Sequence, residues 1–412
     1  MKRTSLNLFL LLTGQIMSVF GSSLHLVVVI VFLKEMTESA VSIGLFQLAA
    51  YLPIVLLAPL GGLTADSTSS KRVLILSDIL RGIVMLGMAV LVLYNALTFT
   101  RLLIGTFFVS IGTAFFQPAL HALFPGIIEK QQLKQANALK GSALLGSNFA
   151  GTSIGGIAYV FLGPAAIFLY NGLSFLISAG EESFIKPIED KAKSKSQGGV
   201  RSISIIIKEA VIRMREAREY VKENRGVLSA IVTYGIMHAL YPPVIIGLPF
   251  LLEQNFGMGA EPYGYALALL IAGGGAGAVS YGFFAPKRSA NALLLSAGFI
   301  TISGLLMVIW IFPLPWVLFP SLFIAGLALG TVHQIMTTSL YRKTAADSRG
   351  MLFGIMESFA SAALPVSYGI SGVLVGLFRG RLPLFFGLTG VFSLIVIGFI
   401  LTRKRLPQFV IG

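Results

Sequence analysis

The feature that most constrains this chain is a series of apolar stretches, each long enough to cross a lipid bilayer. A helix needs about 20 apolar residues to cross the hydrocarbon core. Twelve stretches, here called spans 1–12, meet this length at residues 6–33, 41–64, 73–95, 98–122, 138–160, 163–183, 226–252, 262–285, 290–312, 315–339, 350–377 and 382–402. Only 12% of residues are charged, whereas soluble domains have about 25%. The sequence therefore predicts an all-α membrane protein with twelve transmembrane helices.

The spans fall into two sets of six. Residues 184–225 separate the two sets and contain the basic sequence KAKSKSQGG at 191–199. Apolar residues at 203–221 then recur at helical spacing, which predicts a helix lying on the membrane surface. The predicted domains are a six-helix bundle at 1–183, a cytoplasmic linker at 184–225 and a six-helix bundle at 226–412. Glycine-rich segments in spans 5 and 8, AGTSIGG and AGGGAGA, suggest a weak repeat between two parallel halves.

Basic residues are distributed unevenly between the two sides of the predicted membrane. Of the 31 Lys and Arg residues, Arg81 lies within span 3. If the N-terminus is in the cytoplasm, four others lie on the external side of the membrane, namely Lys34, Arg101, Arg379 and Arg381. Cytoplasmic loops carry the basic excess in membrane proteins, so both termini are predicted to be cytoplasmic in the cell membrane. The net charge of +14 is explained by the basic residues of the cytoplasmic loops, which lie near anionic membrane lipids. Nucleic acid is not predicted as a partner.

Several classes of chemistry have no signature in the sequence. The chain has no Cys, which excludes disulfides and thiolate chemistry. It has no phosphate-binding loop and no HExxH or GxSxG motif. No His, Asp or Glu cluster has metal-ligand spacing. We therefore expect no enzyme activity, no cofactor and no metal. As a separate expectation, the protein is a monomer.

A loop signature links this chain to a known family. Gly62 and Asp66, followed by the bases Lys71 and Arg72, resemble the motif between helices 2 and 3 of the major facilitator superfamily. The segments Gly14-Gln15, SDILRG at 77–82, SIGTAFFQPAL at 110–120 and the span 5 motif are similar to the macrolide-efflux and enterobactin-exporter branch of drug:proton antiporters. The resemblance covers essentially the whole chain.

The chain departs from the family pattern at three places. Ser67 stands where the loop motif usually has Arg, and Ser69-Ser70 stands where it has Gly before the bases. The span 5 antiporter motif is Gly151, Thr152, Gly155 and Gly156, with Thr152 in the place of Pro. Span 4 lacks the interior Arg that is common in the family.

The resemblance implies roles for these motifs. The loop motif of Gly62, Asp66, Lys71 and Arg72 is expected to act as a gate that closes the cytoplasmic side, with its acid held by the start of helix 11 and by the bases. In the family, helices 1, 4, 7 and 10 line a central substrate cavity. The chain carries polar stripes on these four helices at steps of three or four residues, and their candidate cavity residues are Gln15, Ser18, Ser22, Ser110, Thr113, Gln117, Tyr234, Tyr241, Thr331 and Gln334.

Ionisable residues inside the spans are candidates for proton coupling. Asp78 and Arg81 lie three residues apart on one face of span 3, which favours a buried structural pair over a substrate site. Glu357 lies about two turns into span 11, and a carboxyl group in an apolar site favours its protonated form. His25 and His238 are further candidates, because the unperturbed pKa of a histidine side chain lies near physiological pH. For each of these three, a hydrogen-bonded packing role is the alternative.

Together these features predict a secondary active exporter that moves amphipathic or hydrophobic small molecules out of the cell. Alternating access between two bundles, driven by the proton gradient, is the expected mechanism. One alternative is a lysophospholipid or lipid flippase on the same fold. A more remote one is a membrane receptor that transports nothing. The sequence does not identify the substrate.

Overall fold

The computed structural model describes residues 3–186, 224–284, 287–343 and 349–402, together with Leu406 and Val410. Throughout these ranges the regular elements are helices, joined by short connections. The surface helix predicted at 203–221 lies outside the described residues. The helices are α1 (Arg3–Thr37), α2 (Ala40–Ser67), α3 (Ser70–Leu93), α4 (Phe99–Leu123), α5 (Leu133–Phe184), α6 (Arg225–Ala239), α7 (Tyr241–Phe256), α8 (Ala260–Phe284), α9 (Arg288–Ile311), α10 (Pro315–Lys343), α11 (Arg349–Leu377) and α12 (Leu382–Thr402).

Helix α5 contains both span 5 and span 6. Its 52 residues are interrupted at Gly163, whose φ of 72° and ψ of 169° are open to glycine and strained for other residues. Before Gly163, contacts with α1 advance in the same direction along both helices: Ser147 with Ile16, Gly151 with Phe20 and Gly155 with Val27. After it they run in opposite directions: Phe168 with His25, Asn171 with Ser22 and Glu181 with Thr13. The chain therefore folds back at Gly163, and α5 crosses the membrane twice.

Span 7 is divided into α6 and α7 next to a pair of prolines. Helix α6 ends at Ala239 and α7 begins at Tyr241, followed by Pro242 and Pro243. Proline has no amide hydrogen to continue the helix. Eleven stretches of the described chain are long and apolar enough to span a membrane, and α5 provides two crossings. The predicted all-α membrane fold with twelve crossings is confirmed.

The chain forms two compact units. The first contains the residues up to Thr37 and those from Ala49 to the linker, and the second contains Glu38–Leu48 and everything after the linker. The boundary predicted from sequence did not assign Glu38–Leu48 to the second unit. This segment packs closely on α11. A Cβ atom on Gly44 would lie 2.8 Å from the Tyr368 carbonyl oxygen, so glycine is needed for this contact.

Both units pair their helices in the same way. In the first unit, spans 1 and 5, spans 3 and 6, and spans 3 and 4 pack together, and α2 contacts α4. In the second, the corresponding pairs are α6 with α11, α9 with α12, α9 with α10, and α8 with α10. The parallel repeat therefore exists in the packing. The two glycine-rich segments do not mark it, because one lies in the fifth span of its unit and the other in the second.

Each unit has its own apolar core. In the second unit, side chains of α6 and α9–α12 meet around Tyr234, Phe299 and Val332. In the first, a cluster containing Leu74 and Phe116 joins α1, α3 and α4 to the last residues before the linker. This cluster lies at the end of the unit where α2 connects to α3.

Glycines set the distance between α8 and α10. A Cβ atom on any of four glycines would overlap a backbone oxygen of the other helix, and these glycines are Gly273, Gly277, Gly326 and Gly330. Lipid tails provide no hydrophobic driving force between helices, so close van der Waals contact holds them together. Here the two backbones touch without any side chain between them.

Replacing Gly330 with Ala is therefore expected to force α8 and α10 apart. Overpacking typically costs about 1–3 kcal/mol, and we expect a lower unfolding temperature for the purified Gly330→Ala protein. Gly282→Ala is the matched control, since a Cβ atom there meets nothing within 4 Å. If both variants unfold at the same temperature, the close contact at Gly330 does not contribute to stability.

Candidate functional site

Two charged side chains are buried inside the first unit. Asp78 is 0% exposed and Arg81 is 6% exposed, and one helical turn separates them on α3. Nη2 of Arg81 donates a hydrogen bond to Oδ1 of Asp78. A buried charge is tolerated when a partner of opposite charge accompanies it, so the two residues make each other's burial possible.

Aromatic rings enclose the Arg81 guanidinium. Its Cζ atom lies 4.0 Å from the ring centroid of Phe116 on α4 and 4.3 Å from that of Phe175 on α5. Such cation–π contacts contribute about 2 kcal/mol when water is excluded. Gly112 makes room for the arginine, because a Cβ atom there would lie 2.7 Å from Arg81 Cγ. The guanidinium is thus held by two rings and one carboxylate.

Two further carboxyl groups lie near the end of α5, and one of them, Glu182, is close to this pair. Glu182 on α5 is 1% exposed, and the Ser178 hydroxyl donates to its Oε1 over 3.4 Å. Ser178 also faces Asp78. Glu181 accepts a hydrogen bond of 3.0 Å from Thr13 on α1. One carboxyl oxygen of each of these three acids is buried without a hydrogen-bond partner.

Sequence reasoning missed Glu181 and Glu182. Both lie at the end of span 6, directly before the basic linker. A signal was present: Asn171, Ser174, Ser178 and Glu182 are spaced by three or four residues and form one face of a helix. All four are buried, so span 6 carries a polar stripe on its inner face.

The bases of the loop motif have different surroundings. The Lys71 ammonium donates to the backbone carbonyls of Ser183 at 2.6 Å and Ile185 at 2.8 Å, and it therefore caps the end of α5. Arg72 is exposed. The side chain of Asp66 lies outside the described residues.

The close helix approach in this motif is made by Gly61. A Cβ atom on Gly61 would overlap the Ala114 carbonyl oxygen on α4, whereas one on Gly62 would meet nothing within 4 Å. Gly61 thus brings α2 against α4, and Gly62 has open space beside it.

The polar stripe of α1 lies partly against α5. The Ser22 hydroxyl donates to Asn171 over 3.4 Å, and the His25 ring lies edge-on to Phe168 with centroids 4.6 Å apart. Gln15 and Ser18 are buried, and Ser18 donates to the Gln15 carbonyl. Part of this stripe therefore serves contact between helices of the same unit.

On α4, the candidate residues have three different environments. Ser110 is buried and donates to the Ala50 carbonyl of α2 over 2.7 Å. Thr113 donates to the Val109 carbonyl of its own helix. Gln117 is exposed, which leaves its amide accessible.

In the second unit, α6 and α10 bring two histidines around one tyrosine. The Tyr234 hydroxyl lies 2.9 Å from Nε2 of His333. Nδ1 of His238 lies 2.9 Å from the Tyr234 carbonyl oxygen, and because a carbonyl only accepts, this nitrogen carries a hydrogen. Sequence reasoning missed His333, although it neighbours Gln334 and lies four residues before Thr337 on a polar stretch of α10.

The other candidates in the second unit are more dispersed. Thr331 donates to the Leu327 carbonyl of its own helix, and Gln334 is half-buried. Tyr241 borders a small apolar pocket formed by α7–α10, with Leu270 and Leu306 among its walls. Glu357 lies on α11, and its side chain is outside the described residues.

The span 5 motif packs against α1. Cβ atoms on Gly151 and Gly155 would lie 2.5 Å from the Phe20 carbonyl oxygen and 2.6 Å from Val27 Cβ. Thr152, which stands where the family pattern has Pro, is buried and donates to the Asn148 carbonyl of its own helix. Gly156 is also buried. This motif thus permits close approach of α1 and α5.

Comparison with known proteins agrees with this architecture. The family described as transmembrane secretion effector matches residues 6–346. Macrolide efflux protein A of Streptococcus pyogenes is 22% identical over 389 residues, covering 92% of this chain and 90% of that protein. Lysophospholipid transporter LplT of Cronobacter sakazakii is 28% identical over 146 residues, or 35% of each chain.

The fold is also found among solved transporters. The nucleoside transporter NupG superposes with a TM-score of 0.73 at 10% identity, covering 96% of this chain and 98% of that one. At this identity the likeness concerns the fold. Together with the family match over most of the chain, it shows that the protein is a multi-pass membrane transporter of the major facilitator superfamily, in its transmembrane secretion effector family.

Proposed function

We propose that this protein is a secondary active exporter that moves amphipathic or hydrophobic small molecules out of the cell in exchange for protons. Substrate would enter from the cytoplasm or the inner leaflet, and alternating access between the two units would release it outside. The observation that supports export most directly is the similarity to macrolide efflux protein A over 92% of the chain.

The proposed orientation places both termini in the cytoplasm, on the basis of the uneven distribution of Lys and Arg. In this orientation, Lys71 and the end of α5 lie on the cytoplasmic side. Asp78 lies seven residues further along α3, about 10 Å deeper at 1.5 Å per residue. The buried charges thus form a layer below the loop motif. We propose that the protein acts as a monomer.

Among the cavity candidates, we favour three exposed or half-buried polar residues for substrate contact. These are Gln117 on α4, Tyr241 on α7 and Gln334 on α10. Ser110 and Tyr234 hold neighbouring helices together through hydrogen bonds, so we expect their replacement to act mainly on stability.

Transport in inside-out membrane vesicles tests the proposal. With an acidic lumen, vesicles containing the protein are expected to accumulate radiolabelled erythromycin, a macrolide. One pH unit is worth about 1.4 kcal/mol per proton, or at most about tenfold accumulation. A protonophore should abolish it, and vesicles without the protein provide the control. Accumulation that survives the protonophore would contradict proton coupling.

A lysophospholipid transporter is the second candidate, favoured by the similarity of about a third of the chain to LplT. The same vesicles distinguish it. We would then expect movement of labelled lysophosphatidylethanolamine between leaflets, with little effect of the protonophore and no accumulation of erythromycin.

Separately, the Asp78–Arg81 pair is proposed to stabilise the first unit. Arg81→Met leaves Asp78 buried without its cation, and breaking a buried pair in this way costs about 3–5 kcal/mol. The double variant Asp78→Leu/Arg81→Met removes both charges and is expected to recover a substantial part of this loss. Thermal unfolding of the purified proteins measures both. Additive effects of the two single changes would show that the charges do not interact.

A further inference from the structure

The carboxyl groups between α3 and the second part of α5 outnumber the cations that contact them. Asp78, Glu181 and Glu182 are the three acids. Among the described residues, Arg81 contacts Asp78 and lies near Glu182, which in turn lies near Glu181. Lys71 is the next cation along α3, and its ammonium is bound to two carbonyls at the end of α5. From α4, the neighbour of Arg81 is the Phe116 ring.

Helix α1 does not compensate this excess within the described residues. It contributes the Thr13 hydroxyl to Glu181, and a Cβ atom on the next residue, Gly14, would lie 2.7 Å from Glu181 Oε2. The nearest ionisable side chain further along α1 is His25, which contacts Phe168 more than three turns away. With all three acids ionised, the group would therefore carry two uncompensated negative charges.

An uncompensated buried charge is costly enough that the group binds a proton instead. The three acids differ in how their charge is supported. Asp78 has Arg81, and Glu181 is partly exposed and accepts a hydroxyl. Glu182 is fully enclosed, has one long contact to Ser178, and its Oε2 has no partner. Of the three, Glu182 has the weakest support for a negative charge.

We propose that Glu182 holds a proton in this structure and that Glu182, Ser178 and the Asp78–Arg81 pair form the proton-binding site of the transporter. This inference rests on the proposed proton-coupled export. The Ser178 hydroxyl lies next to both acids and can pass a proton between them. When Glu182 releases its proton, its carboxylate competes with Asp78 for Arg81. The charge state of one residue thereby changes the contact between α3 and α5.

Infrared spectroscopy detects this proton without any substrate. For the full chain in lipid at neutral pH, we expect a carbonyl band from a protonated carboxyl group that shifts in deuterium oxide. The band should be lost in Glu182→Gln. It should persist in Glu129→Gln, which removes an exposed carboxyl outside this group, and in Glu181→Gln. A band that persists in Glu182→Gln, or disappears in Glu181→Gln, would overturn the assignment to Glu182.

Transport separates this site from the proposed function. In the vesicle assay, Glu182→Gln is expected to reduce the response to one pH unit from as much as tenfold to below about twofold, whereas Glu129→Gln should respond like the unchanged protein. A normal response in Glu182→Gln would refute the coupling role of this site and leave proton-driven export intact. If accumulation by the unchanged protein does not depend on the pH gradient, the proposed proton coupling is wrong. The infrared result still decides whether Glu182 binds a proton.

Discussion

The absence of water in the hydrocarbon core is the constraint on which the structure depends, since each polar group there must find its partner within the protein. Helices satisfy the backbone, but they leave helix association without a hydrophobic driving force. Close contact has to replace it. The glycines of α8 and α10 and those of the span 5 motif meet this need, because they remove the side chains that would keep two backbones apart.

The same constraint acts on charged side chains and explains two unusual environments. Arg81 is held by two aromatic faces and a carboxylate instead of water. Lys71 binds the carbonyls that the end of α5 leaves without intrahelical partners. Lys71 therefore has a structural function within its own unit, which ties the start of α3 to the end of α5. This function is compatible with a role in the loop motif and does not depend on one.

The sequence predicted the number of crossings, because a bilayer imposes a length that apolar stretches reveal directly. The division of span 7 also has a signal in the sequence, because Pro242 and Pro243 lack the amide hydrogens that would continue α6. The sequence did not predict which way each polar stripe faces. Ser and Thr can bond to carbonyls of their own helix, as Thr113 and Thr331 do, so their spacing identifies a face without identifying its neighbour. Glu182 was missed because it lies in the last turn before a charged linker, where acids usually face solvent.

The two units share a packing scheme but differ in their polar chemistry. In the first unit, the polar residues between α3 and α5 include carboxyl groups and a guanidinium. In the second, the equivalent pair of helices, α9 and α12, meets through the hydroxyls of Ser303 and Ser393 at 2.8 Å, and the imidazoles lie elsewhere, between α6 and α10. These two hydroxyl groups are joined by a hydrogen bond, and both remain neutral when the pH changes. Within the described residues, of these two equivalent interfaces the one in the first unit contains ionisable side chains, so the proton site proposed there has no counterpart of the same chemistry between α9 and α12.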